Sequence, residues 1–268
     1  MLVEELRAAL SKLKNNSGKS MEIDALEYSA KQCAALIKKS KNIAALTGAG
    51  ISTNAGIPDF RGPRGLYVTK QYDAEKIFDS NYFGRDAKPF YDFARDFIQL
   101  EEQIVPTFAH NFFAQLEKSG QLKGVVTQNI DSLHQRAGSK CVYELHGSFE
   151  KSFCQLCHKE FSFAYLKELA QTQVVPACDC GGVLKPDIVF FADEVKCFSA
   201  AVELIEKSEL LFIVGTSCVV QPAAQLPSLA AGDIVIVNQG KVELDLYNIT
   251  LRINDDADEF FTRVRKYL

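Results

Sequence analysis

Six short apolar runs, each closing on small or polar residues, constrain this 268-residue chain more than any other feature. They are Asn42–Thr47, Gly124–Thr127, Val142–Leu145, Asp187–Phe191, Leu210–Val214 and Ile234–Val237. Runs this short, separated by helical patterns, predict buried strands of a parallel sheet in an α/β fold. Helical spacing of apolar residues falls at Ile23–Lys39, Thr107–Lys118, Cys197–Lys207 and Ala257–Tyr267. A further helical pattern, Val3–Leu13, precedes a polar stretch, Asn15–Ser20, that reads as a linker.

Ligands of an open parallel sheet bind beyond the carboxyl ends of its strands. The residues just after five of the six runs are therefore the ones to read. They are Gly48-Ala49-Gly50-Ile51-Ser52, Gln128-Asn129-Ile130-Asp131, His146-Gly147, Gly215-Thr216-Ser217 and Asn238-Gln239-Gly240. Glycine after a strand lets backbone N–H groups approach a pyrophosphate, and a following helix N-terminus favours the anion. The alternative for Gly48–Gly50 is a plain tight turn. Thr53 occupies the place of the third glycine of G-x-G-x-x-G, which argues against an ordinary hydride-transfer dehydrogenase. Downstream, Asp59, Phe60 and Arg61 sit between Gly56-Ile57-Pro58 and Gly62. An aromatic and an arginine there could cover a nicotinamide ribose and its phosphate; a surface ion pair beside a core phenylalanine is the competing reading.

The eight cysteines need a role. Met1–Ser20 carries charges throughout and does not read as a secretory leader, so a reducing, cytoplasmic compartment is expected and disulfides are not. Cys154-x-x-Cys157 is followed about 20 residues on by Cys178-x-Cys180, spacing that suits four thiolates on one tetrahedral, structural Zn²⁺. Reduced, buried thiols are the alternative. His158 is a spare ligand candidate next to Cys157, and the other four cysteines read as small core or helix residues.

Among the histidines, His110 reads as structural and His134 as a support beside Asp131. His146 ends a strand before Gly147, where a neutral imidazole can accept a proton from a hydroxyl near pH 7. Gln128, Asn129 and Asp131 crowd one strand end and suit ribose hydroxyls and a carboxamide, although Asp131 also reads as a helix cap. Lys plus Arg total 30 against 34 Asp plus Glu, a net charge of −4, which argues against a globally basic nucleic-acid binder. No apolar run reaches the roughly 18 residues of a membrane span.

Taken in order, Gly48–Ser52, Gly56–Gly62, Gln128–Asp131, Leu145-His146-Gly147, the cysteine quartet, Lys185–Phe191, Gly215–Ser217 and Asn238–Gly240 resemble the successive signatures of the sirtuins, NAD-dependent protein lysine deacylases. The resemblance runs from about Asn42 to the C-terminus. It implies a Rossmann-like sheet with helices on both faces and a smaller module of zinc ribbon and helices. The implied parts are a Rossmann-like NAD-binding domain (23–66, 107–150 and 184–268), a helical part with the cofactor loop (67–106) and a zinc ribbon (151–183); the N-terminal helical extension (1–22), read from its apolar spacing, lies outside the resemblance. NAD and an acyl-lysine protein or peptide would meet between them, giving nicotinamide, O-acyl-ADP-ribose and free lysine.

Carried over, His146 is the general base, Asn129 orients ribose and water, and Asp131 with Ile130 holds the nicotinamide amide. Phe60 shields the reactive ribose carbon, Arg61 braces the cofactor loop beside Asp59, and Ala49 and Thr53 line the pyrophosphate. Ser217 and Asn238 hold the adenosine end, with Ala257 contacting adenine through its backbone. Val189, Phe190 and Phe191 meet the peptide. Two departures stand out: Ala192-Asp193 replaces a usual Gly-Glu, and Lys185 replaces a usual Arg. Relatives that remove acidic acyl groups carry Tyr-x-x-Arg in the acyl pocket; here Ala94 stands three places after Tyr91 and Arg95 falls one place late, so neutral acyl groups are expected over succinyl. Rival readings are a protein ADP-ribosyltransferase of the same fold and a catalytically silent NAD-binding scaffold.

Overall fold

The computed structural model describes residues 25–58, 72–101 and 103–268. The extension and linker, and Asp59, Phe60 and Arg61, lie outside the described residues. In chain order the strands are β1 (Ile43–Thr47), β2 (Leu122–Thr127), β3 (Val142–Glu144), β4 (Gly147–Cys154), β5 (Glu160–Ser162), β6 (Leu184–Ile188), β7 (Leu210–Val214), β8 (Asp233–Val237) and β9 (Ile249–Ile253). The helices are α1 (25–39), α2 (Ala74–Ile77), α3 (Ser80–Arg85), α4 (Lys88–Glu101), α5 (Phe108–Lys118), α6 (Leu133–Ala137), α7 (Phe163–Thr172), α8 (Phe198–Glu206) and α9 (Ala257–Arg265).

Six strands form one parallel sheet in the order β3-β2-β1-β7-β8-β9. The chain leaves β1 to one side and later returns to its other side at β7, which opens a crevice at the carboxyl ends of these strands. The central strands are apolar almost throughout because both faces are covered. Ile43 and Ala45 of β1 turn to a core shared with α1, α5 and α9, whereas Ala44 and Leu46 turn to one shared with α8. Phe113 of α5 is fully buried against Phe212 and Phe261, and truncating such a ring to alanine costs about 3–5 kcal/mol. Thr107 and His110 cap the start of α5 reciprocally.

The second sheet is antiparallel, β5-β4-β6. With α2, α3, α4 and α7 it encloses a separate core rich in aromatic rings, among them Phe78, Phe83, Phe90, Phe149 and Phe190. Here one sequence expectation is corrected. Asp187–Phe191 is not a strand of the parallel sheet; its start belongs to β6, which pairs antiparallel with β4, and its end runs into a loop. An apolar run signals burial but not the direction of pairing. The parallel sheet gains its sixth strand instead from β9, whose alternating half-exposed pattern forms an edge. Among the described residues, no helix is long and apolar enough to cross a membrane.

Candidate active site

The glycines after β1 bring two strand-end loops together. Gly48 N–H donates to Val214 O at 3.0 Å and Gly50 N–H to Gly215 O at 2.9 Å. A Cβ on Gly50 would lie 2.7 Å from Gly215 Cα, and one on Gly48 would lie 2.8 Å from Gly215 O. Gly215 itself has φ +65°, a left-handed conformation that only glycine adopts freely. The loops after β1 and β7 therefore meet backbone to backbone, and Thr53 Oγ1 donates back to Gly50 O at 3.0 Å.

The loop after β2 supplies the polar centre. Asn129 is buried, with Nδ2 donating at 3.2 Å to both Gly48 O and Ser52 Oγ. Gln128 Nε2 donates to Thr216 Oγ1 at 3.0 Å. Asp131 is also buried: Oδ2 accepts from Ser52 Oγ at 2.7 Å and Oδ1 from Leu133 N at 3.0 Å. It thus binds the first turn of α6, as the cap reading expected, while lining the cavity. Burial raises its pKa, against the opposing pull of the Leu133 and Ser52 bonds.

His146 stands at the end of β3, with Nδ1 2.8 Å from Gln128 O. A carbonyl only accepts, so Nδ1 carries the proton and Nε2 keeps its lone pair. Burial lowers the imidazole pKa, and the Gln128 bond offsets part of that shift. Gly147 has φ +71°, and a Cβ there would come within 1.9 Å of Asp187 O, so only glycine lets β6 pass so close to the residue after the histidine.

Sequence reasoning left part of this network unassigned. Ser52 joins Asn129 and Asp131, and its Oγ also faces His110 Nε2 at 3.5 Å. His110 Nδ1 accepts from Thr107 N at 3.2 Å, so its proton sits on Nε2, toward Ser52. Burial pushes its pKa down to about 3. His134 is buried beside it, ring centroids 4.7 Å apart, with Nε2 3.0 Å from Thr47 Oγ1. Ser52 within Gly48–Ser52 was the available signal; the histidine contacts depend on tertiary packing.

A cavity of about 1160 Å³ unites the strand ends. Gly48, Ala49, Gly50, Thr53, Gln128, Asn129, Ile130, Asp131 and His146 line it together with Gly215, Thr216, Ser217, Asn238, Gln239, Gly240 and Ala257. Asn238 Nδ2 donates within its own loop, to Gln239 O at 3.1 Å, and Ala257 opens α9 behind the Asp256 cap. This long groove, floored by glycines and carrying amide and hydroxyl side chains, fits a dinucleotide. A second arm runs past Val189, Phe190 and Phe191 and is walled by Tyr72, Phe78, Phe93, Asp96 and Phe97. Tyr91 is not among the lining residues, which corrects its expected place in the acyl pocket. It faces the opposite side of α4, fully buried among Phe83 and Phe90, and its hydroxyl donates to Leu184 O.

The four cysteines meet at the tip of the smaller sheet. The sulfurs of Cys154, Cys157, Cys178 and Cys180 all lie within 4.8 Å of one another. Cys154–Cys180 and Cys157–Cys178 are 3.5 and 3.7 Å apart. A tetrahedral zinc with bonds near 2.3 Å needs sulfur–sulfur edges of about 3.8 Å. The N–H groups of Leu156 and Cys157 both donate to Cys154 Sγ at 3.4 Å, as suits a thiolate ligand. The donor set therefore fits Zn²⁺ with no open position, and His158 is not part of it.

A family model described as the Sir2 family matches residues 48–222. The chain belongs to the Sir2 family, the sirtuins. An NAD-dependent protein deacetylase of Thermotoga maritima is 42% identical to this sirtuin over 235 residues, covering 85% of this chain and 94% of its own. A solved Sir2 with p53 peptide and NAD⁺ superimposes with a TM-score of 0.79 at 38% identity, covering 88% of this sirtuin and 96% of that chain. A Sir2 variant with deacetylated p53 peptide and 3′-O-acetyl ADP ribose gives 0.82 at 40% identity, with 88% and 97% covered.

Proposed function

We propose that this sirtuin is an NAD-dependent protein lysine deacetylase that yields nicotinamide, O-acetyl-ADP-ribose and free lysine. One observation carries the reading: His146 offers a neutral Nε2 in a cavity where a dinucleotide groove meets an aromatic arm. NAD, when bound, supplies a cleavable bond between ribose C1′ and nicotinamide. His146 takes a proton from a ribose hydroxyl at Nε2, and its Nδ1–H bond to Gln128 O holds the ring for that transfer. Asn129 orients ribose and water. Asp131, with Ile130, receives the nicotinamide amide, and Ser52 fixes the carboxylate that does so. Ala49 and Thr53 flank the pyrophosphate, Ser217, Asn238 and Ala257 the adenosine, and Gly215, Thr216, Gln239 and Gly240 complete the groove. Cys154, Cys157, Cys178 and Cys180 hold one structural zinc.

The acyl-lysine substrate enters along Val189–Phe191, and the finer preference is for neutral acyl groups. Supporting this, the arm presents aromatic rings and the carboxylate of Asp96 and, among the described residues, no Lys or Arg, so burying a succinyl carboxylate against them would be costly. A cytoplasmic location is supported by cysteines that form no disulfide, four of them gathered where they can hold a metal ion. The division into NAD-binding domain, helical part and zinc ribbon is part of this proposal, with β6 (Leu184–Ile188) counted in the smaller sheet that it forms with β4 and β5.

The test is an acetyl-lysine peptide incubated with and without NAD and followed by mass spectrometry, beside His146→Ala. Loss of acetyl with equal release of nicotinamide, absent in the variant, is the expected outcome. ADP-ribose retained on an unmodified protein, without deacetylation, would favour transferase chemistry; bound NAD without turnover would favour a silent scaffold. Faster turnover of succinyl-lysine than acetyl-lysine overturns the acyl preference.

A further inference from the structure

The loop after β6 is fastened by side chains that the reading above leaves unused. Asp193 lies within this loop and joins three pieces of the protein. Its Oδ1 accepts from Ser80 Oγ, at the start of α3, at 2.6 Å. Its Oδ2 accepts from the Phe190 main-chain N–H and from Lys185 Nζ on β6, each at 3.0 Å. Lys185 also donates to Ile188 O at 2.9 Å and lies 4.2 Å from the centroid of the Phe190 ring. A second ion pair, Lys196 with Asp187, crosses the base of the same loop.

This fastening reaches the catalytic histidine through the main chain. Val189 N–H donates to His146 O, and Lys196 N–H to Leu145 O, both at 2.9 Å. On its outer side Phe191 N–H donates to Phe78 O at 2.6 Å. The segment that lines the substrate arm is thus registered against His146 on one side and the α2–α3 connection on the other. An extended peptide that pairs through its main chain needs an edge already in place, because ordering a loose edge on binding subtracts from affinity.

We propose that Asp193, held by Lys185 and Ser80, is a positioning residue that sets the Val189–Phe191 edge for the acyl-lysine peptide. The proposal rests on the deacylase reading and deepens its substrate side. Asp193 lines the cavity, but Ser80 and Lys185 are not among its lining residues. That separation makes the idea testable: residues outside the cavity act on peptide binding through the carboxylate they hold. Burial favours protonating Asp193, but the bonds from Ser80, Phe190 and Lys185 outweigh it and lower its pKa, so the latch is ionised at neutral pH.

The experiment compares Asp193→Asn, Lys185→Met, the double variant and Lys185→Arg in steady-state kinetics, with amide hydrogen exchange of Val189–Val195. Losing one charge-assisted contact should raise the peptide KM about tenfold in each single variant, with kcat and the NAD KM within about twofold. The double variant should be little worse than either single one, and Lys185→Arg should retain most of the affinity. Exchange at Phe190 and Phe191 should quicken in Asp193→Asn. Unchanged peptide KM, an equal rise in the NAD KM, or additive losses each overturn the proposal. Should the wild-type chain remove no acyl group, the deacylase reading fails separately, and exchange decides the latch: faster exchange in Asp193→Asn sustains it, and unchanged exchange overturns it.

Discussion

His146 and Gln128 stand at the ends of neighbouring strands, and the imidazole Nδ1 of one donates to the carbonyl oxygen of the other across 2.8 Å. That bond selects a single tautomer and leaves the opposite nitrogen basic. Protonating Nε2 removes the base, so kcat/KM falls as pH drops through the His146 pKa. Burial holds that value below its ordinary 6.5, the Gln128 carbonyl raising it part of the way back. The acid limb of the kcat/KM profile should therefore inflect below 6.5. An inflection at or above that value would contradict the assignment.

His110 makes a second pH prediction, for stability. Its pKa is about 3 in the folded protein against 6.5 ordinarily, so on acidification the unfolded chain binds a proton that the native state refuses. Stability is lost as pH falls below 6.5, by about 2 kcal/mol at pH 5 from this residue. His134 acts in the same direction. Asp131, whose pKa burial raises, acts in the opposite one, since its native carboxyl protonates first. The comparison of urea midpoints at pH 7 and pH 5 for wild type and His110→Gln isolates the histidine. The variant should lose less stability over that interval; an identical loss sinks the prediction.

The sulfur cluster predicts one zinc per chain. Elemental analysis should find a single equivalent, and Cys178→Ser should lower it. Chelation should loosen the antiparallel sheet, since metal binding free energy is folding free energy in such sites. Retention of full thermal stability after complete metal removal would speak against a structural ion.

Tyr91→Phe should change stability without changing acyl preference. The substitution leaves the Leu184 carbonyl buried without its donor, at a cost of about 1–3 kcal/mol. The ratio of acetyl to succinyl turnover should stay at the wild-type value. A shift in that ratio would return Tyr91 to the acyl pocket.

Ala192 has φ +76°, where an L side chain is strained. Ala192→Gly relieves about 1–2 kcal/mol of strain but adds about 0.5–1 kcal/mol of unfolded-chain entropy, so a small net stabilisation is expected. Denaturant unfolding gives the sign, and a lower midpoint would refute it.

Most of the parallel sheet was legible because β1, β7 and β8 are buried on both faces and read as unbroken apolar runs. The edge strand β9 escaped because Thr250 is exposed and Arg252 interrupts the apolar pattern, so its period-two alternation was the only mark. Polar residues at the strand ends pointed to the cavity, since side chains of little use to a core were placed where a parallel sheet opens. Two things depended on packing that local sequence does not encode. The side of α4 that faces the cavity carries Phe93, Asp96 and Phe97 instead of Tyr91. The partners of Ser52 come from Asn129, Asp131 and His110, far apart in the chain.

The backbone contact between Gly50 and Gly215 widens the set of positions at which a random change destroys function. A methyl group on Gly215 would come within 2.3 Å of Ile51 N and prise the two loops apart. In a loss-of-function screen, Gly215→Ala would score beside His146→Ala, although it removes no reactive atom. Separating the two needs a cofactor-binding readout: the glycine variant should lose NAD, and the histidine variant should keep it.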